Sequence, residues 1–269
     1  MTLPARLAPG MLVATDLDGT LVPKDSMVVP EFTARVLREI DDAGVPVVFT
    51  TGRPLRWVEP LREHIGAHGM AIVSNGALTY DMRTNRAGRV HGIQAANGLD
   101  VAVRITGALP NAQLALEFPD GIRVTPEFAR ASPREDAPCG PLEALWTEPA
   151  IKLLVRDPSV DDDVLRDVVT AAVGEDATVT WSMPGLMEIS AAGITKAHAL
   201  EALCAELGID ASDVVAFGDM PNDIPMLAWA GTAYAVNNAD ESVRNIADRV
   251  IPSVRDEGVA HTLASLLEV

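Results

Sequence analysis

The chain has 269 residues, 48% of them apolar, and its 21 basic and 38 acidic side chains give a formal charge of −17. That composition suits one large folded domain or two modest ones and excludes a disordered chain. The acidity, with no basic run anywhere, speaks against a nucleic-acid backbone or an anionic membrane as partner. The opening residues, MTLPARLAPGM, lack the apolar stretch of a secretory signal, and no run reaches the ~18 residues of a membrane span, so a cytoplasmic protein is expected. Cys139 and Cys204 stand far apart with no ligand-rich neighbours and read as idle thiols.

In chain order, Met11–Thr15 reads as a short apolar strand. Phe32, Val36, Leu37 and Ile40 then share one face of a helix over Pro30–Asp42, ended by Gly44. A strand over Val45–Thr50, a helix over Leu55–Ile65 and a strand over Met70–Ser74 follow. Leu78–Ile93 reads as a hairpin turning at Asn85-Arg86-Ala87-Gly88. From about Gly92 to Pro184 the texture changes. Strands AQLALEF, IKLLV and TVTWS alternate there with helices near Ala96–Thr106 and Asp161–Val173, interrupted by a proline-rich loop, Ser132–Pro149. The first pattern then resumes. A helix over Ala197–Leu207 has Thr195 as N-cap, Lys196 at its first turn and Gly208 at its end. A strand Val214–Phe217, a helix through Pro225–Trp229 and a strand Ala233–Val236 complete it. Near-continuous apolar strands separated by helices imply a parallel sheet covered on both faces. The expected fold is α/β: a Rossmann-like core with a central parallel sheet, residues 1–91 and 185–269, carrying an inserted α+β domain, residues 92–184.

Acidic side chains fall where these strands run out, the edge at which open α/β sheets bind ligands. Asp16 and Asp18 follow the first strand, Thr51-Gly52-Arg53 the second, and Asp219, Asn222 and Asp223 the strand VVAF. If those strands are neighbours, the carboxylates converge and repel, and one must take up a proton unless a cation sits among them. Oxygen donors without thiolates favour Mg²⁺ before Ca²⁺ or a transition metal. An ionised carboxylate can attack phosphorus and carry the phosphoryl group, and a second carboxyl two residues on can protonate the leaving oxygen and then activate water. Gly19 lets the backbone approach phosphoryl oxygens closely. Lys196 opposes the dipole of its helix at a cost of a few tenths of a kcal/mol, yet a helix start is where an anion sits, so it is read as a functional lysine.

Together DLDGTL, TTGR, GITKAHAL and GDMPND resemble, in order and spacing, motifs I to IV of the haloacid dehalogenase (HAD) superfamily, and within it the Cof-type, sugar-phosphatase-like hydrolases. SNGA (Ser74–Ala77) and DEGVA (Asp256–Ala260) resemble further Cof-type stretches, and the insert falls where that group carries its type-2 (C2B-like) cap. The resemblance implies a Mg²⁺-dependent phosphatase acting on a small phosphorylated metabolite, such as a sugar phosphate, through an aspartyl-phosphate. It implies Asp16 as nucleophile and metal ligand, and Asp18 as general acid/base with its main-chain carbonyl on the metal. Thr51 would hydrogen-bond the transferring phosphoryl group, with Gly52 beside it. Lys196 would pair with Asp16 and the phosphoryl oxygens. Asp219 would ligate the metal and Asp223 would hold metal-bound water. Asn222 would touch the phosphate or orient Lys196, and Arg53 and Asn75 would reach towards the substrate. Asp18 sets the chain apart from related transport ATPases, which have Thr there. One departure is Asn237, where Cof-type members usually have Gly.

The insert is expected to act as a lid and leaving-group pocket, with Gly92 and Pro184-Gly185 as candidate hinges. Arg123, Arg134, Trp146, Lys152 and Trp181 are candidates to face a substrate, although packing accounts as well for the tryptophans and solvation for the basic residues. His64 and His68 read as surface residues, and His198 as structural or solvent-facing. A phosphomutase or phosphotransferase would share the same core. A non-enzymatic phosphoacceptor or binding module is a third reading, against which Asp18 speaks because it would hasten loss of the phosphoryl group.

Overall fold

The computed structural model describes every residue except 1–5, 25, 27, 65–68, 132–135 and 269. Its contacts divide the chain into two units, residues 1–88 with 195–269, and residues 89–194.

The first unit is built on the strands β1 (Leu12–Asp16), β2 (Val47–Thr50), β3 (Met70–Val73) and β4 (Leu78–Asp81), and β5 (Arg86–Val90) runs across its boundary at residue 88. The insert contributes β6 (Gln113–Phe118), β7 (Gly121–Val124), β8 (Lys152–Arg156), β9 (Ala177–Met183) and β10 (Leu186–Ala191). The chain then returns as β11 (Val214–Gly218), β12 (Thr232–Val236) and β13 (Arg249–Ile251). The larger sheet has the order β13-β12-β11-β1-β2-β3-β4-β5. It is parallel from β13 to β3 and turns antiparallel at β4. This is the expected α/β fold.

Every residue of β1, β2 and β11 is buried, as a sheet covered on both faces requires. Leu12, Val48, Phe49 and Phe217 lose all contact with solvent, and each such side chain contributes roughly 1.5–3 kcal/mol. The covering helices are amphipathic. In Glu31–Asp42 the buried positions are Thr33, Ala34, Val36, Leu37 and Ile40, and this helix packs against Gly258–Glu268. Lys196–Leu207 packs against Ile224–Trp229. Its start is capped by the Thr195 hydroxyl, which accepts from the His198 N–H at 3.2 Å, and its end by Gly208 at φ +69°. β1 lies between β11 and β2, with Thr15 opposite Phe217 and Asp16 opposite Thr50. The loops after these three strands therefore leave the sheet at one edge.

Several expected elements shift. The helix expected over Leu55–Ile65 is a short α-turn, Leu55–Val58, running into a 3-10 segment, Glu59–His64. Pro60 lacks the N–H that a continuing α-helix needs, and Ile65 lies outside the described residues, as does His68. The hairpin turns at residues 82–85 rather than 85–88. Asp81 Oδ1 accepts from the N–H groups of Arg83 and Thr84, both at 2.9 Å, and Asn85 takes the left-handed step at φ +59°. The return from the insert comes at Thr195 rather than residue 185. Leu186–Ala191 pairs with both β8 and β9 and so belongs to the insert. Pro184-Gly185 is thus the turn of the β9–β10 hairpin, not a hinge. Gly92 also lies inside the insert, packed against Pro149 beside the Ile93–Ala150 bridge.

The insert is an antiparallel sheet, β7-β6-β8-β10-β9. The helices Ala95–Ala108 and Asp162–Val173 pack on each other and supply Val101, Ile105, Val169 and Val173 to a core with Leu116, Leu153, Val155 and Ile189. Trp146 is part of that core, with its Nε1 donating to the Ile93 carbonyl at 3.2 Å. Gly98 has no room for a Cβ under its ring. A second cluster joins Ala115, Val124, Phe128 and Leu154. The proline-rich loop contains a single turn of helix, Leu142–Leu145.

Candidate active site

β1 ends on Asp16, whose carboxylate is buried. Lys196, the first residue of its helix, donates from Nζ to Asp16 Oδ1 at 2.5 Å and to Asp223 Oδ1 at 2.7 Å. Asp223 Oδ2 accepts from the main-chain N–H groups of Asp219 and Met220, both at 3.0 Å, which closes the turn after β11 around it. Gly218 is required beside it, since a Cβ there would stand 2.6 Å from that of Asp223. Asp219 Oδ1 accepts from the Thr20 hydroxyl at 3.2 Å, and Oδ2 meets Lys24 Nζ at 3.2 Å. Gly19 adopts φ +89° and packs so close that a Cβ would stand 2.5 Å from Asp219 Oδ2. Asp16, Asp219 and Asp223, all buried, bring carboxylate oxygens within 4.8 Å of one another.

The electrostatics follow from this crowding. Burial raises Asp16 well above the ordinary carboxylate range; Lys196 pulls it down, but Asp223 and Asp219 push it up again. Burial and Asp223 raise Asp219 to about 6, against the pull of Lys24. Burial alone would favour the neutral Lys196 amine, but Asp16 and Asp223 outweigh it and hold the ammonium above its usual range. The lysine sees two carboxylates, while each carboxylate also sees the others. The site carries more negative charge than its buried lysine offsets, and its donors are all oxygen. That set fits a hard divalent ion.

Asp18 stands apart from this cluster. Its carboxylate is gripped by the Arg53 guanidinium, Nε lying 2.8 and 2.7 Å from its two oxygens, and Thr51 Oγ1 donates to it at 3.5 Å. Thr51 Oγ1 also accepts from the Arg53 N–H at 3.0 Å, so the TTGR turn is closed on itself. Beyond it, Ser74, Asn75 and Gly76 take three successive left-handed steps. The Asn75 N–H donates to the Thr51 carbonyl at 2.9 Å, and Asn75 Oδ1 accepts from Asn222 Nδ2 at 3.0 Å and faces Gly52. Gly76 packs against the Thr195 carbonyl where no Cβ fits. This turn therefore ties TTGR, the start of the Lys196 helix and GDMPND together.

Asp16, Lys196, Asp219 and Asp223 form one group, then, with Asp18, Thr51 and Arg53 a second, and Gly52, Asn75 and Asn222 a third. Three participants were given no role by the sequence reading: Thr20, although it lies inside DLDGTL, Lys24, and Asn238, next to Asn237. Asn238 Nδ2 donates to the Gly19 carbonyl at 2.7 Å while its Oδ1 accepts from the Val254 N–H at 2.8 Å. Asn237 is exposed and is not among the described residues with a left-handed backbone, so Asn serves there as well as Gly.

The insert candidates are largely occupied. Arg123 lies over the Phe118 ring, 3.7 Å from its centroid, and donates to Thr147 Oγ1 and Glu148. Lys152 is buried in an ion pair with Glu188 at 2.5 Å. Trp181 is partly exposed with Arg166 over its ring, and Arg134 lies outside the described residues. His198 and Cys139 are exposed, whereas burial raises the Cys204 thiol to about 11. Among the described residues, no helix is long and apolar enough to cross a membrane.

Residues 13–101 and 132–263 match the family described as haloacid dehalogenase-like hydrolase. The chain is 31% identical over 258 residues to the phosphoglycolate phosphatase of Methanopyrus kandleri, spanning 96% of this chain and 97% of that protein. It is 27% identical over 258 residues to a 5-amino-6-(5-phospho-D-ribitylamino)uracil phosphatase of Bacillus subtilis, spanning 94% of each. Among solved structures, a phosphatase of the haloalkanoate (HAD) enzyme superfamily from Bacteroides thetaiotaomicron shares the fold, with TM-score 0.80 and 24% identity over 99% of this chain and 97% of the other.

Proposed function

The chain belongs to the haloacid dehalogenase-like hydrolase family and is a phosphatase of that family, and from that premise we propose that it hydrolyses a small phosphomonoester, such as a sugar phosphate, with Mg²⁺ and through a phosphoryl group carried transiently on Asp16. The observation that supports this reading best is the surrounding of Asp16. A buried carboxylate, fixed by Lys196 at 2.5 Å, shares its space with Asp219 and Asp223.

Asp16 supplies the nucleophile: an oxygen–phosphorus bond forms as the ester oxygen–phosphorus bond breaks. Lys196 holds one carboxylate oxygen and so directs the other, and its charge offsets what accumulates on the phosphoryl oxygens. Asp18 gives a proton to the departing alcohol, then takes one from the water that attacks phosphorus and frees Asp16. The net products are the alcohol and inorganic phosphate. Arg53 is paired with Asp18, and proton delivery to the leaving oxygen requires that it release that carboxyl. Asp16, the Asp18 carbonyl and Asp219 would hold Mg²⁺, with Asp223 reaching it through water. The ion, when bound, supplies Lewis-acid charge for the phosphoryl oxygens. A chain of formal charge −17 repels an anionic substrate at long range, so the local positive field of Lys196 and Arg53 is needed to admit it. The relatives' names span phosphoglycolate and a phosphoribityl compound, which supports a small phosphomonoester without choosing between them.

The test is a broad panel of phosphomonoesters with purified protein. Turnover is expected with Mg²⁺ and is abolished by EDTA and by Asp16→Asn, with the fold of the variant intact. Release of free phosphate, rather than its return to the substrate, separates a phosphatase from a phosphomutase. Metal-independent turnover, an active Asp16→Asn variant or no turnover across the panel would each overturn the reading.

A further inference from the structure

Lys24 and Lys196 both meet the carboxylate cluster, but they differ in freedom. Lys196 is buried and spans Asp16 and Asp223. Lys24 reaches in from the loop after β1 with its side chain 53% exposed, over Gly19, to a carboxylate that is 2% exposed. Both oxygens of Asp219 are thereby engaged. Thr20 serves Oδ1 with a neutral hydroxyl that can rotate, and Lys24 serves Oδ2 with a full charge. A divalent ion on Asp219 must displace that ammonium or sit against it. Three carboxylates facing two lysines leave one negative charge over. A divalent ion in place of Lys24 leaves none. The lysine also has somewhere to go, since a pocket of about 340 Å³ lined by Pro23, Asn238 and Ser253 opens beside it.

We propose that Lys24 is a tethered counter-ion of the metal site, neutralising Asp219 in the metal-free protein and stepping aside when a divalent cation binds. This rests on the Mg²⁺ reading above. Its consequence is quantitative. The ion binds only the fraction of molecules in which the Lys24–Asp219 pair is open, so the lysine weakens the apparent affinity by that fraction. A half-exposed ion pair is screened and opens readily, which limits the effect to roughly three- to fivefold.

The experiment is a calorimetric Mg²⁺ titration of metal-depleted protein for the wild type, Lys24→Met, Lys24→Gln and Lys24→Arg. Expected are roughly three- to fivefold tighter binding by the two neutral variants and wild-type affinity for Lys24→Arg. Thermal unfolding in EDTA at pH 7.5 gives a second readout: Lys24→Met melts below the wild type, and Mg²⁺ removes the difference. Affinities of the neutral variants within twofold of the wild type, or weaker, overturn the inference alone. Failure of folded wild-type protein to bind Mg²⁺ overturns the metal reading and this inference with it.

Discussion

Two lysines of this chain are almost wholly buried against carboxylates, and they sit in different surroundings. Lys152 lies within β8 of the insert and meets Glu188 of β10, at 2.5 Å, across an antiparallel sheet. Lys196 opens a helix at the edge of the parallel sheet and meets Asp16 and Asp223, with Asp219 close by. Burial and pairing are common to both, so neither marks a reactive lysine. What separates them is position and charge. Lys196 stands where three strand ends deliver their loops, among carboxylates that burial first, and mutual repulsion second, hold above the ordinary range at Asp16 and Asp219. Such an excess is costly in a folded protein unless an ion or a substrate makes use of it.

The largest effect that would sharpen this contrast is catalytic. Lys196→Met should lower kcat/KM by roughly two to four orders of magnitude, as removal of a preorganised charge partner does. Lys152→Met should leave kcat within severalfold while destabilising the fold by about 3–5 kcal/mol, because it takes a buried cation from a buried carboxylate. Equal losses of activity from the two variants, with equal losses of stability, would erase the distinction. Unfolding curves with and without Mg²⁺ refine it: the ion should restore much of the stability lost in Lys196→Met and none of that lost in Lys152→Met.

The smallest effect is a pH dependence. Asp219 is raised to about 6 from an ordinary 3.8 and Asp16 is raised as well, so the metal-free native state holds protons that the unfolded chain releases. Their contribution to stability is complete below the unfolded value and is lost as pH rises through about 6. Metal ligands must be deprotonated, so the rise in Tm on adding saturating Mg²⁺ should grow between pH 5 and pH 7.5. A rise that is constant or larger at pH 5 would contradict the charge surplus.

The contrast also explains what the sequence made legible. β1, β2 and β11 are continuous apolar runs followed at once by their polar loops, so strand and chemistry are read from the same few residues. Asp16, Asp219 and Asp223 were visible for that reason, and Lys196 from its place at the start of a helix capped by Thr195. β10 was not, because Leu186–Ala191 carries Glu188 in mid-strand, and its pairing with Lys152 is a tertiary contact that the local pattern does not show. The boundary of the insert was misplaced by the same segment. Thr20 and Lys24 were missed because their role depends on the path of a loop towards Asp219, 199 residues away from Thr20 in the chain. No local pattern encodes such a contact. Arg53 was legible as a candidate, but its grip on Asp18 depends on how two loops settle beside each other.

The most direct test of the account is rapid quenching of the wild-type enzyme during turnover of a ³²P-labelled phosphomonoester, followed by mapping of the labelled peptide. The account predicts acid-stable label on Asp16, absent from Asp16→Asn. Label on any other residue, or turnover with no protein-bound label in a burst that exceeds the detection threshold, would contradict it.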